Sequence, residues 1–154
     1  MTNGKITNAN VKSDETRWTE LSIRFSSTAM SAKSMERILG DEPSDTAELG
    51  ERISPRSIQA GTHESSMCIF TCPIPADADP QLHCVWAATF LDEHRAALIE
   101  MGAACQVDVF MSFASTSGQG GLALPASVLS TLARAGANFY ITLYPPEDTT
   151  NRAV

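Results

Sequence analysis

The chain has 154 residues, 11 Lys plus Arg against 18 Asp plus Glu, and a formal net charge of −7. That length suits one domain with its own hydrophobic core, and a hydrophobic content of 43% is too high for a wholly disordered chain. The acidic balance argues against nucleic acid and anionic membrane surfaces as primary partners, and four cysteines are too sparse for a disulfide scaffold.

The first fifteen residues, MTNGKITNANVKSDE, hold no apolar stretch of the kind a signal peptide needs. No segment approaches the roughly 18 uninterrupted apolar residues of a membrane span. Even Leu82 to Leu91 is broken by His83 and Thr89. The expectation is a cytoplasmic protein with reduced thiols, built as one domain over residues 16–146 between fraying polar tails at 1–15 and 147–154.

The alternation from Trp18 to Phe25 predicts a half-buried strand, with Leu21, Ile23 and Phe25 toward the core and Ser22 and Arg24 toward water. A helix follows, with Ser31 as N-cap, Met35, Ile38 and Leu39 at helical spacing, and Gly40 as its stop. Asp41 to Ser66 is punctuated by Pro43, Gly50, Pro55 and Gly61 and reads as the least regular part. Within it, Arg56 to Ala60 is the expected edge strand, and Asp41 to Glu51 forms an acidic ribbon of five acids and no base.

Met67 to Cys72 reads as the second strand, ended by Pro73 and Pro75, with Cys68, Phe70 and Cys72 on one face. The longest helix opens at Asp79 and Pro80 and runs to Gly102, with a weak point at Asp92 to Arg95 where it bends or divides. Its expected apolar stripe is Leu82, Val85, Trp86, Phe90, Ala97, Leu98 and Met101. A third strand spans Cys105 to Phe113. After the turn Ser117 to Gly121 come a helix from Pro125 to Ala135, stopped by Gly136, and a last strand from Phe139 to Tyr144.

Ala32, Met35, Ile38 and Leu39 match Ala126, Leu129, Leu132 and Ala133 at a constant offset, a pattern that suggests two strand–helix–strand halves. The resulting expectation is an α+β fold: a four- to five-stranded sheet with helices packed on one face, a ferredoxin-like variant. Between Met101 and Pro146 only Asp108 and Arg134 are charged. So neutral a run implies strands buried on both faces or a surface covered by a partner, and burial within the domain is the reading preferred.

The chemistry-bearing residues are scattered. Cys68 and Cys72 on one strand would stand about 13 Å apart, too far to share an ion, and no second ligand pair exists, so neither metal nor cofactor is expected. Ser112, Ser115 and Ser117 lack a nucleophile-elbow sequence, and Gly118, Gly120 and Gly121 fit neither the dinucleotide fingerprint nor the P-loop. No catalytic residue is assigned. The acidic ribbon, with Asp41, Glu42, Asp45, Glu48 and Glu51, lacks a calcium-loop register and reads either as a solvated face or as a docking surface for a basic protein.

The stretch Met35-Glu36-Arg37-Ile38-Leu39-Gly40-Asp41-Glu42-Pro43-Ser44 resembles the L-G-x-x-P-[ST] signature of a mainly bacterial family, domain of unknown function 4279. The likeness continues through Gly50, Leu98, Gly102, the strand Val107 to Phe113, Leu124-Pro125, Leu129, Leu132, Gly136 and Tyr144, and departs at Met67 to Thr71, where such proteins often carry a Trp. The resemblance transfers no catalytic residues. Small proteins of this kind are often encoded beside secreted antibacterial toxins, so it implies an immunity protein, with a cognate toxin as partner. The expected function is therefore a non-enzymatic binding protein that meets that toxin through Asp41, Glu42, Asp45, Glu48 and Glu51. Two alternatives stand beside it. One is a small ligand-binding or enzymatic domain using the Ser115 to Gly121 loop with a histidine, and the other an oligomer-forming module whose interface is the uncharged C-terminal half.

Overall fold

The computed structural model describes residues 16–57, 59–115 and 122–144. Both expected tails and the turn Ser117 to Gly121 lie outside the described residues. Nine elements plus a short 3-10 turn follow in chain order: β1 (Thr16–Ser27), α1 (Ala32–Leu39), β2 (Asp45–Ala47), β3 (Ser66–Thr71), α2 (Pro80–Glu93), α3 (Arg95–Met101), β4 (Gln106–Ser115), α4 (Ala126–Arg134) and β5 (Asn138–Tyr144), with the 3-10 turn at Gly102–Ala104. This is an α+β protein built on a five-stranded sheet of order β2-β3-β1-β4-β5.

β1 lies antiparallel to both β3 and β4, β2 lies antiparallel to β3, and β5 is added parallel to β4. The segments β1–α1–β2 and β3–α2–α3–β4 thus each return to the sheet one strand away, with an antiparallel strand between. The parallel β5 comes back through α4 directly beside β4. A parallel neighbour needs such a crossover, because a tight turn can join only antiparallel strands.

Alternation along the strands decides the two faces. Leu21, Ile23 and Phe25 of β1, Cys68 and Phe70 of β3, and Val107, Val109, Met111 and Phe113 of β4 are buried together on one face. The helices close that core with Met35 and Leu39 of α1, Cys84, Ala87 and Leu91 of α2, Ala97 and Met101 of α3, and Val128 and Leu132 of α4. Phe90 is its aromatic hub, with ring centroids 4.9 Å from Phe70, 5.4 Å from Trp86 and 4.0 Å from the stacked ring of His94. The other sheet face carries no helix among the described residues.

The ends of α1 follow the sequence signals. Ser31 Oγ accepts from Ser34 N at 3.1 Å, and Gly40 ends the helix at φ 78°, a left-handed conformation that costs glycine little. The long helix divides within the expected weak point, at His94, into α2 and α3. The His94 ring reaches the Phe90 carbonyl through Nδ1 at 2.7 Å and the Asp41 carboxylate through Nε2 at 2.9 Å.

Four expectations are corrected. An edge strand is Asp45–Ala47, while the described residues of Arg56 to Ala60 form turn and irregular chain, with no strand among them. The sequence DTA is short and polar, so its apolar pattern was too slight to announce it. In α2 the buried face is His83, Cys84, Ala87, Ala88 and Leu91 together with Phe90, whereas Leu82 and Val85 are exposed. Small Ala and Cys side chains let this helix approach the sheet closely, and that outweighs the bulk of the expected stripe. The paired helices do not pack alike: Met35 is fully buried, but its counterpart Leu129 is half exposed. Finally, the uncharged C-terminal run is not wholly buried. β4 is central, but β5 is an edge strand that leaves Tyr140, Ile141, Leu143 and Tyr144 exposed.

Candidate binding site on the uncovered sheet face

Register places five residues in one row across the whole sheet. Asp45 faces Ile69, Ile69 faces Arg24, Arg24 faces Asp108, and Asp108 faces Asn138. Cross-strand partners share a face, so this row lies on the side opposite the helices. Asp108 is its centre and is fully buried although no helix covers it. Its carboxylate accepts from Arg24 Nη2 at 3.3 Å, from Asn138 Nδ2 at 3.0 Å, and from Gln106 Nε2 at 2.9 Å and 3.1 Å. A carboxylate withdrawn from water needs several donors of this kind.

Arg24 was expected to face water. It does lie on the uncovered face, but it is held there, with its guanidinium paired to Asp108 and set 4.4 Å from the centre of the Phe110 ring. Phe110 in turn stacks on Tyr140 at 4.9 Å with the planes only 12° apart. The next aromatic pair, Trp18 and Tyr144, sits 5.6 Å apart. Tyr140 and Tyr144 are each nearly half exposed. The face therefore combines a rigid, neutralised ion pair with accessible aromatic rings, the residue types over-represented where proteins bind other proteins.

The acidic ribbon borders this face but is partly committed to the fold. Asp41 serves His94, Glu51 accepts from Glu48 N at 2.9 Å, and Glu48 accepts from Ala32 N at 3.0 and 3.1 Å and from Ser66 Oγ at 2.7 Å. The Ser66 hydroxyl, then the Ala32 amide, hold the Glu48 carboxyl below the usual glutamate range. Asp45 accepts from Thr46 N at 2.9 Å at the edge of the sheet, and Glu42 is exposed beside α1. Asp45 thus stands at the β2 end of the central row, on the edge of the sheet opposite β5 and its tyrosines.

Cysteine and histidine are dispersed. Among the described residues no group of three or more His, Cys, Asp or Glu is arranged to hold a metal ion. Desolvation pushes the thiols of Cys68, Cys84 and Cys105 up to about 11 and raises that of Cys72. Such thiols are poor nucleophiles. The Ser115 to Gly121 loop, apart from Ser115 at the end of β4, lies outside the described residues. Among the described residues, no helix is long and apolar enough to cross a membrane.

Sequence reasoning missed Asp108, Phe110 and Tyr140 as a unit. The available signal was a single carboxylate in an otherwise neutral strand, which requires a buried partner, but nothing local says that the partner is Arg24, 84 residues away.

The fold and this face define a small α+β protein whose sheet, among the described residues, is covered by helices on one face only. The chain belongs to the DUF4279 family, described as "Domain of unknown function", whose profile matches residues 15–146. Neither the curated proteins nor the solved structures contain a significant match to it.

Proposed function

We propose that this protein is a non-enzymatic binding protein that engages a basic protein through its uncovered sheet face. We further propose that this partner is a cognate antibacterial toxin, neutralised by direct binding in the manner of an immunity protein. The observation that carries the reading is that Trp18, Phe110, Tyr140 and Tyr144 share with the Arg24–Asp108 pair a sheet face that no helix covers among the described residues. Aromatic rings held rigid before contact lose little conformational entropy on binding.

Charge supports a basic partner. The chain carries −7 overall, and Asp45, of the acidic ribbon with Asp41, Glu42, Glu48 and Glu51, stands at the β2 edge of the same sheet face. Opposite charge on a partner would speed encounter and set its orientation, while the aromatic centre would supply most of the affinity. The toxin assignment rests on family context, and the binding assignment rests on the face itself.

Co-expression with the product of the adjacent gene tests the whole reading. The expected result is a stable complex on size-exclusion chromatography, together with rescue of growth in cells making that product. Absence of both would overturn it.

A further inference from the structure

β5 forms one edge of the sheet, with β4 on one side and, among the described residues, no strand on the other. Successive residues of a strand turn their N–H and C=O groups to opposite sides, so about half of the β5 backbone groups face outward as a row of donors and acceptors. Chains usually guard such an edge with charge, proline, a bulge or brevity. The opposite edge, β2, is guarded in this way, with three residues that include Asp45. β5 has none of these devices: it runs seven residues, NFYITLY, without charge or proline and in unbroken register with β4.

Apolar side chains crowd the same edge. Ile141 is 46% and Leu143 62% exposed on the helix-bearing side, although their cross-strand neighbours Met111 and Phe113 are buried. On the other side Tyr140 is 46% and Tyr144 49% exposed, each ring already held against Phe110 or Trp18.

Charge and symmetry both name the occupant. A chain of −7 repels its own copies, and that repulsion is weakest where the surface is neutral. β5 is uncharged, and the one carboxylate of β4, Asp108, is paired with Arg24. A two-fold axis standing on the sheet at Ile141 sets β5 antiparallel to itself. Ile141 then meets Ile141 of the second copy, Phe139 meets Leu143, Tyr140 meets Thr142 and Asn138 meets Tyr144. All seven residues pair, apolar side chains meet on the helix-bearing side, and no like charges are opposed.

We propose that β5 is a dimerisation edge, on which a second copy of this chain adds its own β5 antiparallel and joins the two five-stranded sheets into one. The exposed parts of Tyr140, Ile141, Leu143 and Tyr144 amount to roughly 400 Å² per copy. Two copies bring about 800 Å², and the backbone edges carry the contact to the ~1,000 Å² that a specific interface needs. An interface at that lower bound gives a reversible dimer that dissociates in the micromolar range.

Sedimentation velocity of the full chain, from about 1 to 200 μM, tests this. The mass should rise with concentration from 16.5 kDa toward twice that value. Ile141→Lys sets two ammonium groups against each other at the axis and should weaken the dimer at least about tenfold. Leu143→Lys, at the more exposed position, should do the same if the first variant melts early. Ile53→Lys adds the same charge at an exposed apolar residue outside the sheet and should leave the dimer intact. Cross-linking with a short bismaleimide checks the register. It should join the copies of Ile141→Cys, which face each other, and not those of Leu143→Cys, which stand about 14 Å apart. A single-chain mass at every concentration, equal loss of the dimer in Ile53→Lys, or equal cross-linking at both cysteines would each overturn the proposal. The first of these would leave the edge to another protein's strand or to the ends of this chain. Self-association is read on the chain alone, so its failure leaves the co-expression experiment unaffected.

Discussion

The carboxylate of Glu48 accepts a 2.7 Å hydrogen bond from Ser66 Oγ, and with the same group it takes the free backbone N–H of Ala32 at the start of α1. One side chain of an irregular segment thereby joins the first helix to the third strand. The first N–H groups of a helix have no intrahelical partner, and a carboxylate there also meets the positive end of the helix dipole.

Replacement of Glu48 by alanine should lower stability by about 1 kcal/mol, the usual cost of losing a helix cap. The pH dependence has a definite sign. The folded-state pKa of Glu48 is lowered, chiefly by Ser66, so its contribution is complete above the unfolded value. That contribution is lost as pH falls from about 4.3 toward the lowered value. Because the side chain faces solvent, the effect is modest and shrinks in salt. Urea denaturation of the wild type and of Glu48→Gln between neutral and acid pH checks this: the two curves should converge as pH falls. Parallel curves would count against the cap.

Asp108 should be far less tolerant. Asp108→Ala strands the donors of Arg24, Gln106 and Asn138 on the sheet, and a cost of roughly 2–4 kcal/mol is expected. Asp108→Asn keeps the shape and part of the bonding, so it should fall between the wild type and alanine. Thermal melts of the three chains measure this, and equal midpoints would show that the cluster contributes nothing to stability.

The four thiols should react slowly in the native protein. With Cys68, Cys84 and Cys105 pushed to about 11 by desolvation, only about one thousandth of each is thiolate at pH 8. Iodoacetamide labelling followed by mass spectrometry should modify the native chain at a small fraction of the rate found in guanidinium. Fast native labelling of Cys68 or Cys84 would show that the core opens more readily than its packing implies.

Partner binding should divide between the two parts of the surface. Tyr140→Ala and Tyr144→Ala should each weaken the complex at least about tenfold, mainly through faster dissociation. Glu42→Lys or Asp45→Lys should mainly slow association, and that effect should fade as salt rises. Surface plasmon resonance with the adjacent gene's product separates the two rates. Neutral tyrosine variants would move the contact away from the sheet face.

Much of the fold was legible because local rules were obeyed locally. Ser31 and Gly40 bound α1, Asp79 and Pro80 open α2, and the alternations of β1, β3 and β4 assign their faces correctly. β2 escaped notice because its three residues, two of them polar, owe their strand state to pairing with β3 and to nothing within themselves. The buried face of α2 was misread for a similar reason: bulk marks Leu82 and Val85 as core, but the approach distance to the sheet selects Ala87 and Ala88.

Composition and patterning alone therefore determined an acidic α+β chain with a hydrophobic core and no span of membrane-crossing length, because charge count and hydrophobic period depend only on residues near one another in sequence. Tertiary structure alone decided which residues form the candidate site. Asp45, Ile69, Arg24, Asp108 and Asn138 come from five different strands. Strand order and register set those neighbours, and both arise from long-range pairing that no local window of sequence contains.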